Sequence, residues 1–429
     1  MMMKNISTRS RVFIGLCEIA GYNTALKKGF DAINVKSIFV DLNSHPFKYD
    51  TGTIDNIPLK LIKYLGQKRV ATPANNYLNK IFWIFCQQII KLPLFLWALI
   101  NYDVFIFGFK STFFNFYELP ILKFLGKRII YIFYGSDSRP PYINGFFFAL
   151  PIQKSIRLSF LYKKQIKWIE HYADCIISHP PFSHFHEKKF VQFLKLGIPF
   201  TADKPRTALV KADNHKLITL HAPSNPERKG TEIIRQTIKK LQGKGYCIEL
   251  HEIVGKPNAE VLTALSACDF VIDELYSDTL MARFAAEAAF FGKPAIVAGY
   301  TSYSNWGNIL PEEMPPVHYC HPDKLEEAIE KLITEEVYRR DLGRRAKKFV
   351  DERWSVKAVA ERYMRLIMNN YPEEWLYNPK NIEYAHGWGL SEQQVKSFIR
   401  KTIEKGGKKV LQLSDKPELE QKFIEFAYS

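Results

Sequence analysis

Residues 278–296, DTLMARFAAEAAFFGKPAI, place a single carboxylate, Glu287, in a helix otherwise built of small and apolar side chains. An acid in such surroundings is costly unless it has a partner. The apolar run CDFVID just before reads as a buried parallel strand, and Gly292, Lys293 and Pro294 turn the chain into a second one, PAIVAG. A helix that begins beyond a strand's carboxyl end aims its free N–H groups into the crevice where phosphates bind. Glu287 stands one to two turns inside that helix, within reach of a ribose joined to such a phosphate. The chemistry this arrangement suggests is that of a nucleotide-sugar site.

Other chemistry-bearing residues lie at strand ends. His221 and Ser224, in HAPSN, follow the strand KLITL and could touch a diphosphate; His221 reads equally as a hydrogen-bonded core histidine. The loop FYGSDSR carries Tyr134, Asp137 and Arg139, and Asp137 is either a polar group of the site or a helix N-cap. His179, His184 and His186 cluster in SHPPFSHFHEKK, but no acidic or Cys ligand joins them at a recognised spacing, so no metal is expected. The chain holds no nucleophile constellation and no Walker lysine loop.

The elements that must position these residues alternate along the chain. RVFIGLC, INVKSIFVD, DVFIFGF, RIIYIFYG and DCIISHP read as strands of the first half, separated by helical stretches such as GYNTALKKGFDAI, NYLNKIFWIFCQQII and FYELPILKFLG. The second half repeats the plan with KLITLHAP, CIELHEIVG, CDFVIDEL, PAIVAG and VHYC. Repeated strand–helix units predict α/β architecture, with two Rossmann-like doubly wound domains facing each other across a cleft and a C-terminal helical segment. The expected boundaries are 1–205, 206–365 and 366–429, with a hinge in the polar stretch 201–214.

The 429 residues suit two domains, and 47% hydrophobic with 24% charged residues excludes a disordered chain. Six scattered cysteines read as buried free thiols of a reducing compartment, and MMMKNISTRSR shows no secretory leader, so a cytoplasmic location is expected. The formal charge of +16 is uneven: residues 122–169 hold nine Lys or Arg and one acid, Asp137, among many aromatic rings. A membrane surface, a nucleic acid and a merely solvated face compete as explanations. Interleaved aromatics favour the membrane interface, and no nucleic-acid motif is present. Residues 81–102, the most apolar run, are broken by Lys91 and Pro93. They read as a core helix with one face dipping into lipid rather than as a membrane span.

Five fragments in order, LCEIAGYNTALKKGF, LPILKFLGKRIIYIFYGSDSR, HAPSNPERKGTEII, CDFVIDELYSDTLMARFAAEAAFFGKPAI and FVDERWSVKAVAERY, resemble the GT-B glycosyltransferases, most closely the retaining family 4 type of bacterial surface-polysaccharide synthesis. The resemblance implies that Gly21 lies in the loop that approaches a donor diphosphate, although an ordinary tight turn explains a lone glycine as well. It implies that Lys229, with Arg228 beside it, is aimed at that diphosphate, and that Glu287 grips the ribose. Backbone N–H groups near Leu280, Met281 and Ala282 would then face the pyrophosphate. Two positions depart from the family. Thr279 stands where the first glutamate of the family's Glu-x7-Glu motif, whose second is Glu287, is expected, with Asp278 or Glu274 as substitutes, and Tyr134 stands in place of a sugar-contacting histidine.

The resemblance thus implies sugar transfer from a nucleoside-diphosphate sugar to a glycan or lipid-linked acceptor, with retention, and with no metal or other cofactor. Asp137, Tyr134 and Asp278 are the candidates nearest the reaction. Peripheral membrane association is the partner reading the basic, aromatic patch favours, and no nucleic acid is expected. The alternative is a non-catalytic protein of the same fold that binds a nucleotide sugar or a partner.

Overall fold

The computed structural model describes residues 10–42, 57–73, 76–200, 216–307 and 309–429. The polar stretch expected to be a hinge, 201–214, lies outside the described residues. The chain divides into two compact units, the first of residues 1–134, 168–177 and 356–373, and the second of 135–167, 178–355 and 374–429. These boundaries are not those of a chain cut into consecutive domains. Residues 135–167 and 178–200 group with the second unit, and the segment 374–429 is part of that unit rather than an appendage.

In the first unit, β1 (Val12–Leu16), β2 (Ser37–Asp41), β3 (Val104–Gly108), β4 (Arg128–Ile132) and β5 (Cys175–Ser178) form a parallel sheet in the order β5-β4-β3-β1-β2. Every residue of β1 is buried, as expected of a strand covered on both faces. The chain returns to this unit late. Helix Val356–Ile367 packs on helix Tyr22–Ala32, the Tyr22 and Tyr363 hydroxyls meet at 2.8 Å, and a Cβ on Gly29 would come within 2.2 Å of the Val356 carbonyl oxygen. Only glycine permits that approach.

Helix Tyr77–Asn101 corrects the reading of a core helix. It runs unbroken through Pro93 for 25 residues, and its buried residues are Gln87, Leu94, Phe95 and Ala98. It is long and apolar enough to cross a membrane by length and composition. Only its last turns enter the unit's core, where Phe95 packs on Phe113 with ring centroids 5.1 Å apart. Much of the basic run 122–169 also proves to be internally partnered. In the first unit Arg128 donates to the Leu366 carbonyl and Lys123 pairs with Asp174; in the second, Lys163 pairs with Glu187 and Asp415. All six cysteines are free thiols, but only Cys175 and Cys268 are buried and Cys247 is exposed.

The second unit is built on β7 (Leu217–His221), β8 (Ile248–Glu252), β9 (Phe270–Ile272), β10 (Ala295–Ala298) and β11 (His318–Cys320), parallel in the order β11-β10-β9-β7-β8. An antiparallel pair that the alternation of strands and helices did not reveal, β6 (Phe190–Gln192) with β12 (Leu376–Tyr377), belongs to the same unit. All ten strands read from the sequence are present. The helix that carries Glu287 spans Arg283–Phe290, and Thr279, Leu280 and Met281 precede it in a bend.

Candidate functional site

The carboxyl ends of β7, β9 and β10 converge in the second unit, and the loops that leave them carry most of the residues singled out above. In open parallel sheets this is where ligands bind. Lys229 follows β7. Its Nζ lies 2.5 Å from Glu274 and 3.4 Å from Asp273, the two acids that follow β9. Burial pulls the Lys229 ammonium down, but the two carboxylates outweigh it and hold the group above its ordinary value. Burial opposes the charge of Glu274 too, yet Lys229 wins and keeps it below its usual range. Asp273 is pushed up by burial, against Lys229 and the Ala285 N–H. The first turn of helix Arg283–Phe290 therefore meets a carboxylate of its own chain.

Asp278 and Arg139 form a second buried pair. The guanidinium donates from Nε at 2.7 Å and Nη2 at 2.5 Å to the same carboxylate oxygen, and the side chains are 4% and 2% exposed. Burial nevertheless holds Asp278 above the usual carboxylate range. Arg139 also lies 5.4 Å from the Phe182 ring and 5.3 Å from Trp388. Asp137, in the same loop, accepts the Gly135 N–H at 3.0 Å, while Gly135 O receives the N–H groups of Ser138 and Arg139. Its side chain closes a turn. Thr279 is held by Ser277, whose hydroxyl receives the Thr279 N–H at 3.1 Å and lies 2.6 Å from Glu274.

Glu287 is buried and grasped on one side by Arg283 Nε, at 2.9 Å, and on the other by the Asn258 amide, at 3.2 and 3.3 Å. Burial raises its pKa against the pull of Arg283. Arg283 was not singled out, although its place four residues before Glu287 on one helical face is a signal that could have found it. Asn258 and the acid Asp273 as a partner of Lys229 were not singled out. Arg228 turns to the Gly145 carbonyl, with Nε at 3.0 Å, and lies over the Phe146 ring. Ser224 is exposed in the loop after β7. Leu280 and Met281 are core residues, and Ala282 is the N-cap of the helix.

His221 resolves to a core histidine. Nδ1 lies 2.8 Å from the Ile272 carbonyl, to which it must donate, leaving Nε2 to accept from the Thr231 hydroxyl at 2.9 Å. Burial lowers its pKa to about 4. His184 and His186 likewise spend ring nitrogens on Tyr384 O and Ser138 Oγ, and among the described residues no cluster of three His, Cys, Asp or Glu is placed to hold a metal ion.

The remaining two candidates lie in the first unit. Gly21 has φ +77° and caps helix Tyr22–Ala32, as the loop after β1 requires. Its neighbour Glu18 is buried and fills the helix start: its carboxylate accepts the N–H groups of Ile19, Asn23 and Thr24 at 2.7, 3.1 and 3.0 Å, and the Thr24 hydroxyl at 2.5 Å. A phosphate there would compete with that carboxylate. Tyr134 packs edge-on to Tyr22 at 5.5 Å, and a Cβ on Gly108 would touch its ring at 2.7 Å.

No family model matches the chain, and no curated protein does. Solved structures do. Sucrose-phosphate synthase from Thermosynechococcus elongatus aligns over 84% of this chain and 98% of its own at 14% identity, with a TM-score of 0.52. The catalytic domain of starch synthase IV from Arabidopsis thaliana, bound to ADP and acarbose, aligns over 85% and 99% at 11% identity, with a TM-score of 0.54. The fold is that of the GT-B glycosyltransferases.

Proposed function

We propose that this protein is a glycosyltransferase that takes a sugar from a nucleoside-diphosphate sugar and passes it to a glycan or lipid-linked acceptor, with retention of configuration, in cell-envelope polysaccharide synthesis. The observation that carries the reading is that Lys229, and the helix that bears Glu287, both follow the carboxyl ends of the second unit's parallel strands. Lys229 is a partly buried, charged ammonium beside the strand ends, suited to the charge that develops on a leaving diphosphate. Glu287, within a helix that starts from the same edge, is the carboxylate proposed for a ribose diol, which would have to take the place of the Asn258 amide or Arg283 that hold it here. The assignment of transfer chemistry rests also on likeness to the two solved transferases, one of which binds ADP. In this reading the charge on the leaving group is met by Lys229 once the diphosphate takes the place of Asp273 and Glu274 beside it, and no metal is proposed.

A screen of UDP-, ADP- and GDP-sugars by thermal shift tests the donor, since a bound donor raises the unfolding temperature by mass action. For a donor that passes, Glu287→Ala should lower transfer on the order of a hundredfold, as loss of charge-assisted hydrogen bonds implies. Normal turnover in that variant would remove Glu287 from the site. The non-catalytic alternative is favoured by Thr279 at the motif position and by the engagement of Asp278 with Arg139. Donor binding without transfer to any acceptor would decide for it.

Peripheral membrane attachment, on the cytoplasmic face, is proposed for the first unit. Helices Ile57–Ala71 and Tyr77–Asn101 pack together and expose Tyr64, Leu78, Ile81, Phe82, Phe85 and Ile89, with Lys60, Lys63, Lys68, Arg69 and Lys80 on the same two helices. In residues 77–92 of the longer helix only Gln87 is buried, its amide donating to the Ile62 carbonyl of the neighbouring helix, and this part is roughly 24 Å long, short of the ~30 Å of a hydrocarbon core. Lying in the interface suits it better than crossing. Cosedimentation with anionic vesicles should be strong, and Phe82→Glu with Phe85→Glu should weaken it more than tenfold, each buried Phe being worth about 1.5–3 kcal/mol. Equal binding by the double variant would exclude this surface.

A further inference from the structure

The segment 384–392 lies over the carboxyl ends of the second unit's strands, in the crevice where a doubly wound sheet takes its ligand. Trp388 Nε1 donates to Glu274 Oε2 at 3.1 Å, the oxygen that also faces Lys229. Gly389 N–H donates to the Tyr276 carbonyl at 2.9 Å, beyond β9, and Glu392 N–H to the Tyr300 hydroxyl at 3.0 Å, beyond β10. Gly389, at φ +70°, backs onto the loop after β7: a Cβ there would lie 3.3 Å from Arg228 Cβ.

The fit is tight and made by glycines. A Cβ on Gly387, at φ +75°, would come within 2.0 Å of the Ile143 carbonyl oxygen, and one on Gly145 within 2.7 Å of the Gly389 carbonyl oxygen. Beneath this segment the cations are matched by acids of the same unit. Lys229 faces Asp273 and Glu274, and Arg139 faces Asp278. A diphosphate arriving here would meet a roofed site whose positive charge is already spent.

We propose that residues 384–392 are a displaceable cover of the diphosphate site, an autoinhibitory contact that must open before a nucleoside diphosphate reaches Lys229. The inference rests on the donor-site reading above. With the covered state dominant, the apparent affinity is the intrinsic one reduced by the fraction of open molecules. Trp388 is the cover's latch, because its N–H holds the same carboxylate that neutralises Lys229. Weakening the latch should therefore tighten ligand binding, whereas a Trp388 that merely built the site would loosen it.

The test is calorimetric titration of UDP, ADP and GDP into the full chain and into Trp388→Phe and Trp388→Ala, with each unfolding temperature measured alone. Trp388→Phe keeps the ring and deletes the donor, so it decides the matter if the alanine variant does not fold. The expected result is affinity for at least one nucleotide raised about tenfold in either variant, at an unfolding temperature equal to or below that of the parent. Binding unchanged or weakened in a folded variant overturns the cover and leaves the donor site standing. Absence of UDP, ADP and GDP binding by all three proteins overturns both.

Discussion

Arg139→Ala should cost the second unit about 3–5 kcal/mol, the penalty of leaving a buried carboxylate without its partner. Asp278 is 2% exposed and already held above its usual range by burial, so deletion of the guanidinium leaves it no water to turn to. The variant must protonate Asp278 or open the loop. The Phe182 and Trp388 rings beside the guanidinium lose their contact as well. The pair is not expected to be worth this much in absolute terms. Replacing both members together, Arg139→Met with Asp278→Leu, should recover most of the loss, since apolar groups of similar size need no desolvation. Urea unfolding of the three proteins measures both statements. A single variant within about 1 kcal/mol of the parent would show that Asp278 reaches solvent or another partner.

Acid should unfold the second unit well above the carboxylate range. Burial lowers His179 and His184 to about 3 and His221 to about 4. Below the ordinary value of about 6.5 the unfolded chain takes up protons that the folded chain refuses, so stability is full above that pH and falls as pH drops toward 4. At pH 5 each imidazole contributes a loss of about 2 kcal/mol, and three together approach the whole stability of an ordinary domain. Asp278 and Glu287, raised by burial, act in the opposite direction, so the contribution of one histidine is best isolated by substitution.

His179 is suited to this. Its ring stacks on Phe193 at 4.7 Å, and its Nδ1 has no hydrogen-bond partner among the described residues. His179→Phe should leave the urea midpoint at pH 7.5 little changed and restore about 2 kcal/mol at pH 5. A parallel pH dependence in parent and variant would mean that His179 takes up its proton as readily in the folded as in the unfolded chain, and would overturn the effect of burial.

Much of this architecture is local in origin and therefore legible. The apolar runs of β1, β3 and β4 and of β7, β9 and β10 are short, bounded by polar turns and separated by helical patterns. That alone predicts parallel sheets and places Lys229, Asp278 and Glu287 beyond strand ends. The Arg283–Glu287 pair is likewise a matter of helical spacing. Where the reading failed, the cause was equally physical. The run 81–102 is apolar enough for a core helix, but hydrophobicity does not say whether protein or lipid covers a face. Residues 279–281 stay outside helix Arg283–Phe290, with the Thr279 N–H held by the Ser277 hydroxyl, a contact between side chain and backbone that apolar periodicity does not register.

The sequence by itself determined the alternation of strands and helices, the pairs of residues one helical turn apart, and the strand ends at which charged groups must gather. Tertiary structure alone decided who neutralises whom. Trp388 reaches Glu274 across 114 residues and Arg139 reaches Asp278 across 139, because loops remote in the chain meet at one edge of a sheet. Local patterns follow from backbone geometry repeated every few residues. The partner of a buried charge follows from which loops the fold brings together, and no short-range pattern carries that information.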